Sequence, residues 1–232
     1  MGKVFAAHQP NYIPYLGYFY KMAKCDYFVY LDNVEFSRGS FANRNKIKTP
    51  QGQQYLTIPI STPKGKKGVV SYQEVKYASN FWKKKHLKSV SQVYARAPYF
   101  YQIYPIYESI IMKENQSFVD KNIELIEAFA SYLNIQSKRI RLSEILDEFG
   151  NKTNLICNIG EKLQASFYLS GTGGGVEYND GDLMNRRGIK LVYSDFKHPY
   201  YPQLWGEFVS HMSIMDVLFN VGKEAQKFLE AK

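Results

Sequence analysis

The residues best suited to chemistry stand near the two ends of the chain. At the start, His8, Gln9 and Asn11 follow the short apolar run 4–7 and precede a turn containing Pro10, Pro14 and Gly17. An imidazole can take a proton near neutral pH, and amide side chains can hold or polarise a reacting carbonyl. Toward the other end, His198 opens the segment His198-Pro199-Tyr200-Tyr201-Pro202-Gln203, where two prolines fix the backbone around a side chain. Either His8 or His198 could serve as the base, with Tyr201 and Gln203 as further polar contacts. Asp32, after the apolar run 27–31, can orient His8, bind an amine or hydroxyl, or cap a turn.

A second group of residues is fit for phosphate. Asn43, Arg44, Lys46 and Lys48 lie within one basic stretch, Arg44 able to form a fork and Lys46 or Lys48 a point charge. A solvated hairpin edge is the competing reading. Ser170 leads into a glycine-rich loop, Gly171, Gly173, Gly174 and Gly175, with Tyr178 just beyond. The loop lacks the lysine that ends a Walker sequence, so it reads as a nest of amides for an anion or as a turn. No metal site is expected, since the four histidines include no close pair and Cys25 and Cys157 are far apart in sequence. Both cysteines lie in apolar segments, which reads as free buried thiols in a reducing, cytoplasmic setting.

The elements that must position these groups can be read from periodicity. Apolar runs at 4–7, 27–31, 55–60, 166–169 and 189–193 read as strands, with helical stretches between them. The expected fold is α/β, a mainly parallel central sheet in which 4–7 and 27–31 are neighbours and 166–169 joins them. The stretch from about 80 to 165 reads as mostly helical, a subdomain or insertion within a single domain spanning 1–232. Within it, Asn80 and Ser117 can cap helices, and Ile123, Ile126, Phe129, Ala130 and Leu133 recur at helical spacing. A helix is expected from Tyr107 and a short strand over 69–76. Lys64 to Gly68 reads as a mobile basic turn, and Ser213 as the cap of a final helix. Asp216, among apolar residues of that helix, is expected to need an ion pair, and His86 and His211 to lie on helix faces without chemistry. Loops at the carboxyl ends of neighbouring strands converge in an open sheet. His8, Gln9, Asn11, the glycine loop and the segment 198–203 are therefore expected to share one cleft.

Composition narrows the partners. A net charge of +9 and a pI of about 9.3 favour phosphorylated or polyanionic ligands. With 20 Tyr and 15 Phe, single-stranded nucleic acid is a partner to weigh, but the cations are scattered and no RNA-module signature is present. No apolar stretch is long enough to cross a bilayer.

The segments HQPNYIPYLGYFYK, LDNVEF, FANRNKIKT, YLSG, HPYYPQ and MSIMDVLFNVG, in this order, resemble the WbqC-like family over nearly the whole chain. That resemblance implies bacterial O-antigen or other surface-polysaccharide biosynthesis, and aminoacyl transfer, of glycine in particular, onto a sugar. A more distant likeness links the opening strand, loop and helix to the HIGH-type nucleotidyltransferases, and with it to a Rossmann-like (HUP-like) sheet. There Tyr15 and Tyr18 would replace the two histidines around Gly17, leaving hydroxyl donors without positive charge. The expected function is an amide-forming acyl or aminoacyl transferase acting on a nucleotide-linked amino sugar. Its co-substrate would be an activated acyl donor or ATP, and a homo-oligomer is compatible with the sequence. The alternatives are a nucleotide-binding or adenylating enzyme and a non-catalytic binding protein.

Overall fold

A buried parallel strand must be apolar along its length, because it is covered on both faces. The segment VFAAH meets that demand, and Phe5, Ala6 and Ala7 are buried. The structure, a computed structural model, describes residues 2–37, 39–63, 70–146, 150, 152–173 and 179–230. Its strands in chain order are β1 (Val4–His8), β2 (Tyr27–Tyr30), β3 (Arg44–Thr49), β4 (Gly52–Thr57), β5 (Ile60–Ser61), β6 (Lys76–Tyr77), β7 (Lys138–Arg141), β8 (Phe167–Ser170) and β9 (Lys190–Tyr193). Its helices are α1 (Leu16–Ala23), α2 (Phe81–Tyr94), α3 (Phe100–Met112), α4 (Phe118–Tyr132), α5 (Leu142–Ile145), α6 (Lys152–Leu163), α7 (Gly181–Arg186), α8 (Ile214–Val221) and α9 (Lys227–Glu230). The chain divides into two units. The first is Met1–Gln9, Gly17–Asn33 and Ile135–Lys197, and the second is Pro10–Leu16, Val34–Asn134 and His198–Lys232.

The first unit is a Rossmann-like α/β layer. Five strands pair in parallel in the order β7-β2-β1-β8-β9. The sequence expectation holds here: 4–7 and 27–31 are neighbours, with Phe5 opposite Tyr27, and 166–169 flanks the other side of β1. From β1 the chain moves one way, to β2, and from β8 it moves the other way, to β9. Right-handed crossovers then carry α1 and α7 to opposite faces, so the loops leaving β1 and β8 part from each other. The crossover helix α6 lies close on the sheet. A Cβ at Gly160 would come within 2.5 Å of Ile189 and 3.0 Å of Phe5.

The second unit is mostly helical, with two small hairpins. The apolar run 55–60 is not in the main sheet. It pairs with Arg44–Thr49 as the antiparallel β3–β4 hairpin, around the turn signalled by Thr49-Pro50-Gln51-Gly52. α4 is built as its spacing predicts: the Ser117 hydroxyl accepts from the Asp120 amide at 3.0 Å, and Ile123, Ile126, Phe129 and Ala130 are buried. Asn80 and Ser213 occupy cap positions without a side-chain cap hydrogen bond. α3 starts at Phe100 rather than Tyr107 and runs through Pro105. Burial of Phe100, Ile103 and Tyr107 along one face outweighs the amide that proline removes. The strand expected over 69–76 is instead a 3₁₀ turn, Tyr72–Glu74, leading to the two-residue β6. Ser71 and Glu74 close a reciprocal cap on that turn, the Glu74 carboxylate accepting from the Ser71 amide at 2.9 Å. The basic turn at 64–68 lies outside the described residues.

Gly222 ends α8 with φ 57° and ψ −136°, and a Cβ there would stand 2.4 Å from the ring of Tyr99. Gly222→Ala should therefore lower unfolding free energy by more than about 2 kcal/mol, from backbone strain plus ring displacement. Gly171→Ala, where a Cβ meets nothing within 4 Å, should change it by less than about 0.5 kcal/mol. Urea unfolding of the pair checks this; equal values for the two would show that the Tyr99 contact imposes no constraint.

Candidate functional site

His8 is the last residue of β1, at the point where the loops leaving β1 and β8 part. Its Nδ1 is 3.0 Å from the carbonyl oxygen of Gln9. A carbonyl only accepts, so Nδ1 carries the proton and Nε2 presents the lone pair. The ring meets Tyr18 edge-on at 4.8 Å, and the Tyr18 hydroxyl donates to the same Gln9 carbonyl at 3.2 Å. Beneath it lies Lys21, buried, its ammonium donating to the Ala7 carbonyl at 3.1 Å. Burial lowers Lys21 to about 8. Burial, then the charge of Lys21, lowers His8 to about 3, so its imidazole is neutral throughout the physiological range. Lys21 was not among the residues singled out from the sequence. The signal was available, since Tyr18 and Lys21 are one helical turn apart and so share a face of α1.

Across the same sheet edge, Ser170 ends β8 with its hydroxyl buried. The hydroxyl donates to the Gly171 carbonyl at 3.2 Å and accepts from Asn179 Nδ2 at 2.9 Å, so it ties the start of the glycine loop to its end. Gly171 is half-buried and Gly173 exposed, while Gly174 and Tyr178 lie outside the described residues. Asp32 is buried and occupied: Oδ1 accepts from the Ser143 amide at 3.0 Å and Oδ2 from the Ser143 hydroxyl at 2.6 Å. Of its three possible roles, the geometry gives it the cap, here on α5. Burial pushes the Cys25 thiol up to about 12, which leaves it unreactive as a nucleophile.

In the second unit the predicted groups fall into three clusters. Arg44 and Lys46 alternate along β3 and lie against the ring of Tyr55, at 4.9 and 5.7 Å from its centroid. Arg44 also donates to the Gly39 carbonyl at 2.7 Å. Asn43 supports the hairpin from behind, donating to the Ile58 carbonyl at 2.9 Å. Lys48 is not available as a point charge: it is buried, and its ammonium donates to the Glu207 carbonyl at 2.5 Å.

The second cluster surrounds Asp216, whose expected ion pair is replaced by neutral donors. Oδ1 accepts from the Tyr94 hydroxyl at 2.8 Å, and Oδ2 from the Tyr201 hydroxyl at 2.8 Å and Gln203 Nε2 at 2.7 Å. Burial raises its pKa, and Tyr94, Tyr201 and Gln203 oppose the rise. Gln203 further brackets Val209, donating to its carbonyl and accepting from its amide.

The third cluster is His198, His211 and Tyr15. His198 donates from Nδ1 to the Pro199 carbonyl at 2.9 Å and accepts on Nε2 from the His211 amide at 3.0 Å. A proton could reach Nε2 only if that amide let go. His211 is not on a helix face: it lies in the loop before α8 at φ 59°, with rings of His198 at 4.8 Å and Tyr15 at 6.0 Å. His86 is on a helix, as expected, and ends a buried relay. Its Nε2 donates to the Thr57 carbonyl at 3.1 Å, so Nδ1 accepts from the Tyr12 hydroxyl at 2.9 Å, which in turn accepts from Tyr107 at 2.6 Å.

The predicted residues are thus shared between the units. His8, Gln9, Tyr18, Asp32, Ser170, Gly171 and Gly173 belong to the first; Asn11, Tyr15, Asn43, Arg44, Lys46, His198, Tyr201 and Gln203 belong to the second. Among the described residues no group of three or more His, Cys, Asp or Glu could hold a metal ion, and no helix is long and apolar enough to cross a membrane.

A parallel sheet in this strand order, with a polar strand end at its switch point, defines a Rossmann-like α/β protein. The chain belongs to the WbqC-like protein family, whose model matches residues 9–228. It is 33% identical, over 98% of its own length and 97% of the other's, to an uncharacterized protein of Mycobacterium tuberculosis strain H37Rv. No solved structure matches it.

Burial holds His86 neutral by lowering it from 6.5 to about 4. Well above pH 6.5 neither state is protonated and its contribution is complete. As pH falls toward 4, the unfolded chain takes the proton first and stability is lost, by about 3 kcal/mol across the window. His86→Gln should flatten the fall in unfolding free energy between pH 6.5 and 4, followed by urea melts. An unaltered slope would assign that fall to other groups.

Proposed function

We propose that this protein is a transferase that forms an amide on an amino sugar carried by a nucleotide, in the assembly of a bacterial surface polysaccharide. The observation that carries the reading is the state of His8. It sits where α/β sheets bind ligands, its tautomer is fixed by the Gln9 carbonyl, and its Nε2 lone pair has no partner among the described residues. In amide formation the amine nitrogen attacks an acyl carbonyl, the new C–N bond forms, and the leaving group departs with its electron pair. The nitrogen is cationic once it has attacked, and so far more acidic than a free ammonium. A weakly basic but always neutral imidazole is then sufficient to take the proton on Nε2. Gln9 and the amides of Gly171 and Gly173, which belong to the same unit, supply donors for the carbonyl oxygen. In the second unit, Arg44 and Lys46 are the cations suited to phosphate. Membership of the WbqC-like family supports the polysaccharide setting.

A second reading, a nucleotide-binding or adenylating enzyme, is favoured by the strand order itself, which matches dinucleotide-binding sheets around the central strand. Tyr15 and Tyr18 count against the usual nucleotidyl-transfer mechanism, because neither carries positive charge and the Tyr18 hydroxyl is engaged by the Gln9 carbonyl.

Thermal-shift titration with nucleotide sugars and with ATP separates the two readings: stabilisation by nucleotide amino sugars is expected, and stabilisation by ATP alone would favour the second. His8→Gln should lower transfer by about 10²–10⁴ with little change in melting temperature. Turnover per folded molecule that stayed at the wild-type level would remove His8 from the reaction. Arg44→Ala should weaken nucleotide-sugar binding by about tenfold or more, with affinity falling as salt rises.

A further inference from the structure

The second unit contains a cavity of about 440 Å³ between β4 and one face of α2, a volume in the range of small-molecule sites. Tyr55 and Thr57 form one wall, and Phe81, Lys85 and Ser89, recurring turn by turn along α2, form the other. Several independent features of this cavity point to one kind of ligand. Phe81 is 87% exposed, a large ring left in water at the rim. Trp82 also lines the cavity, so its indole signal can report on what occupies it. The start of α2 borders the cavity, has no side-chain cap and has no acidic residue in its first turn, so its amide dipoles are uncompensated. Among the described residues Lys85 is the charged one lining the cavity and no carboxylate lines it, and Arg44 and Lys46 stand against the Tyr55 ring. Open aromatic rings suit a flat heterocycle, and cations with a bare helix start suit phosphate.

We infer that this cavity binds a nucleoside diphosphate, with the base against Phe81 at the rim and the phosphates toward Lys85. The inference rests on the nucleotide-linked substrate proposed above and is independent of the chemistry assigned to His8.

The test uses uridine, adenosine, guanosine, cytidine and thymidine diphosphates in separate titrations, followed by nitrogen-15 NMR. The chain has 2 tryptophans, so the indole region carries the signals of Trp82 and Trp205 alone, assigned with Trp205→Phe. At least one diphosphate should shift the Trp82 indole signal and leave that of Trp205 in place. Phe81→Ala should weaken that binding about fivefold or more, and Lys85→Ala about tenfold. Both side chains are exposed, so neither variant should unfold the protein. Wild-type affinity in both variants would overturn the inference. So would binding that moves the His8 ring signals and not Trp82, which places the nucleotide at the sheet edge. Absence of binding by every diphosphate would overturn it as well. The transferase reading is judged separately, by whether His8→Gln abolishes amide formation, so the two can fail independently.

Discussion

The carbonyl groups at the end of β1 must find donors, because the strand is buried and its pairing with β8 stops at Phe5, three residues short of its pairing with β2. Ala7 is served by the ammonium of Lys21, His8 by the amide of Leu31, and Gln9 by the His8 ring and the Tyr18 hydroxyl. Meeting this demand sets much of the first unit. It sets the rotation of α1 so that Tyr18 and Lys21 face the strand end. The Gln9 carbonyl fixes the tautomer of His8, and burial, reinforced by the nearby Lys21 cation, keeps the ring neutral. The same hydrogen bonds that satisfy the backbone prepare the site.

The second unit meets a similar demand with tyrosine. Tyr12, Tyr94, Tyr107 and Tyr201 are all buried, and each hydroxyl is engaged with another polar side chain. A phenol brings a large apolar ring and one directional donor, which suits a core that encloses a carboxylate and an imidazole. This gives four of the chain's 20 tyrosines a place in the core. Asp216 shows the balance of terms: burial disfavours its charge, and three neutral donors restore part of what water would supply. The arrangement is satisfied as a whole, and removing one member would leave the others buried without partners.

Much of the sheet was legible because parallel strands are continuous apolar runs; 4–7, 27–31, 166–169 and 189–193 could be read directly. α4 was legible from a serine cap and an even apolar spacing. The side-chain partnerships were not. Tyr94 and Asp216 meet across 122 positions, and no local pattern announces such a pair. α3 begins at Phe100 rather than at Tyr107, because the packing that holds Phe100 and Ile103 is tertiary and an aromatic-rich segment does not announce it. The Ser71–Glu74 cap had a visible signature, Ser-x-x-Glu, hidden by the alternation around it. Of the candidate site, the position of His8 at a strand end was legible. Its charge state was not, because that depends first on the burial of the ring and then on Lys21, both tertiary facts.

Ser170 holds Gly171 through its hydroxyl hydrogen and Asn179 through an oxygen lone pair. One side chain thus acts as a clasp on the residue where the pairing of β8 with β9 ends, Ser170 opposite Tyr193. Loosening it would let the parallel sheet fray from its carboxyl edge inward, toward the strand that carries His8.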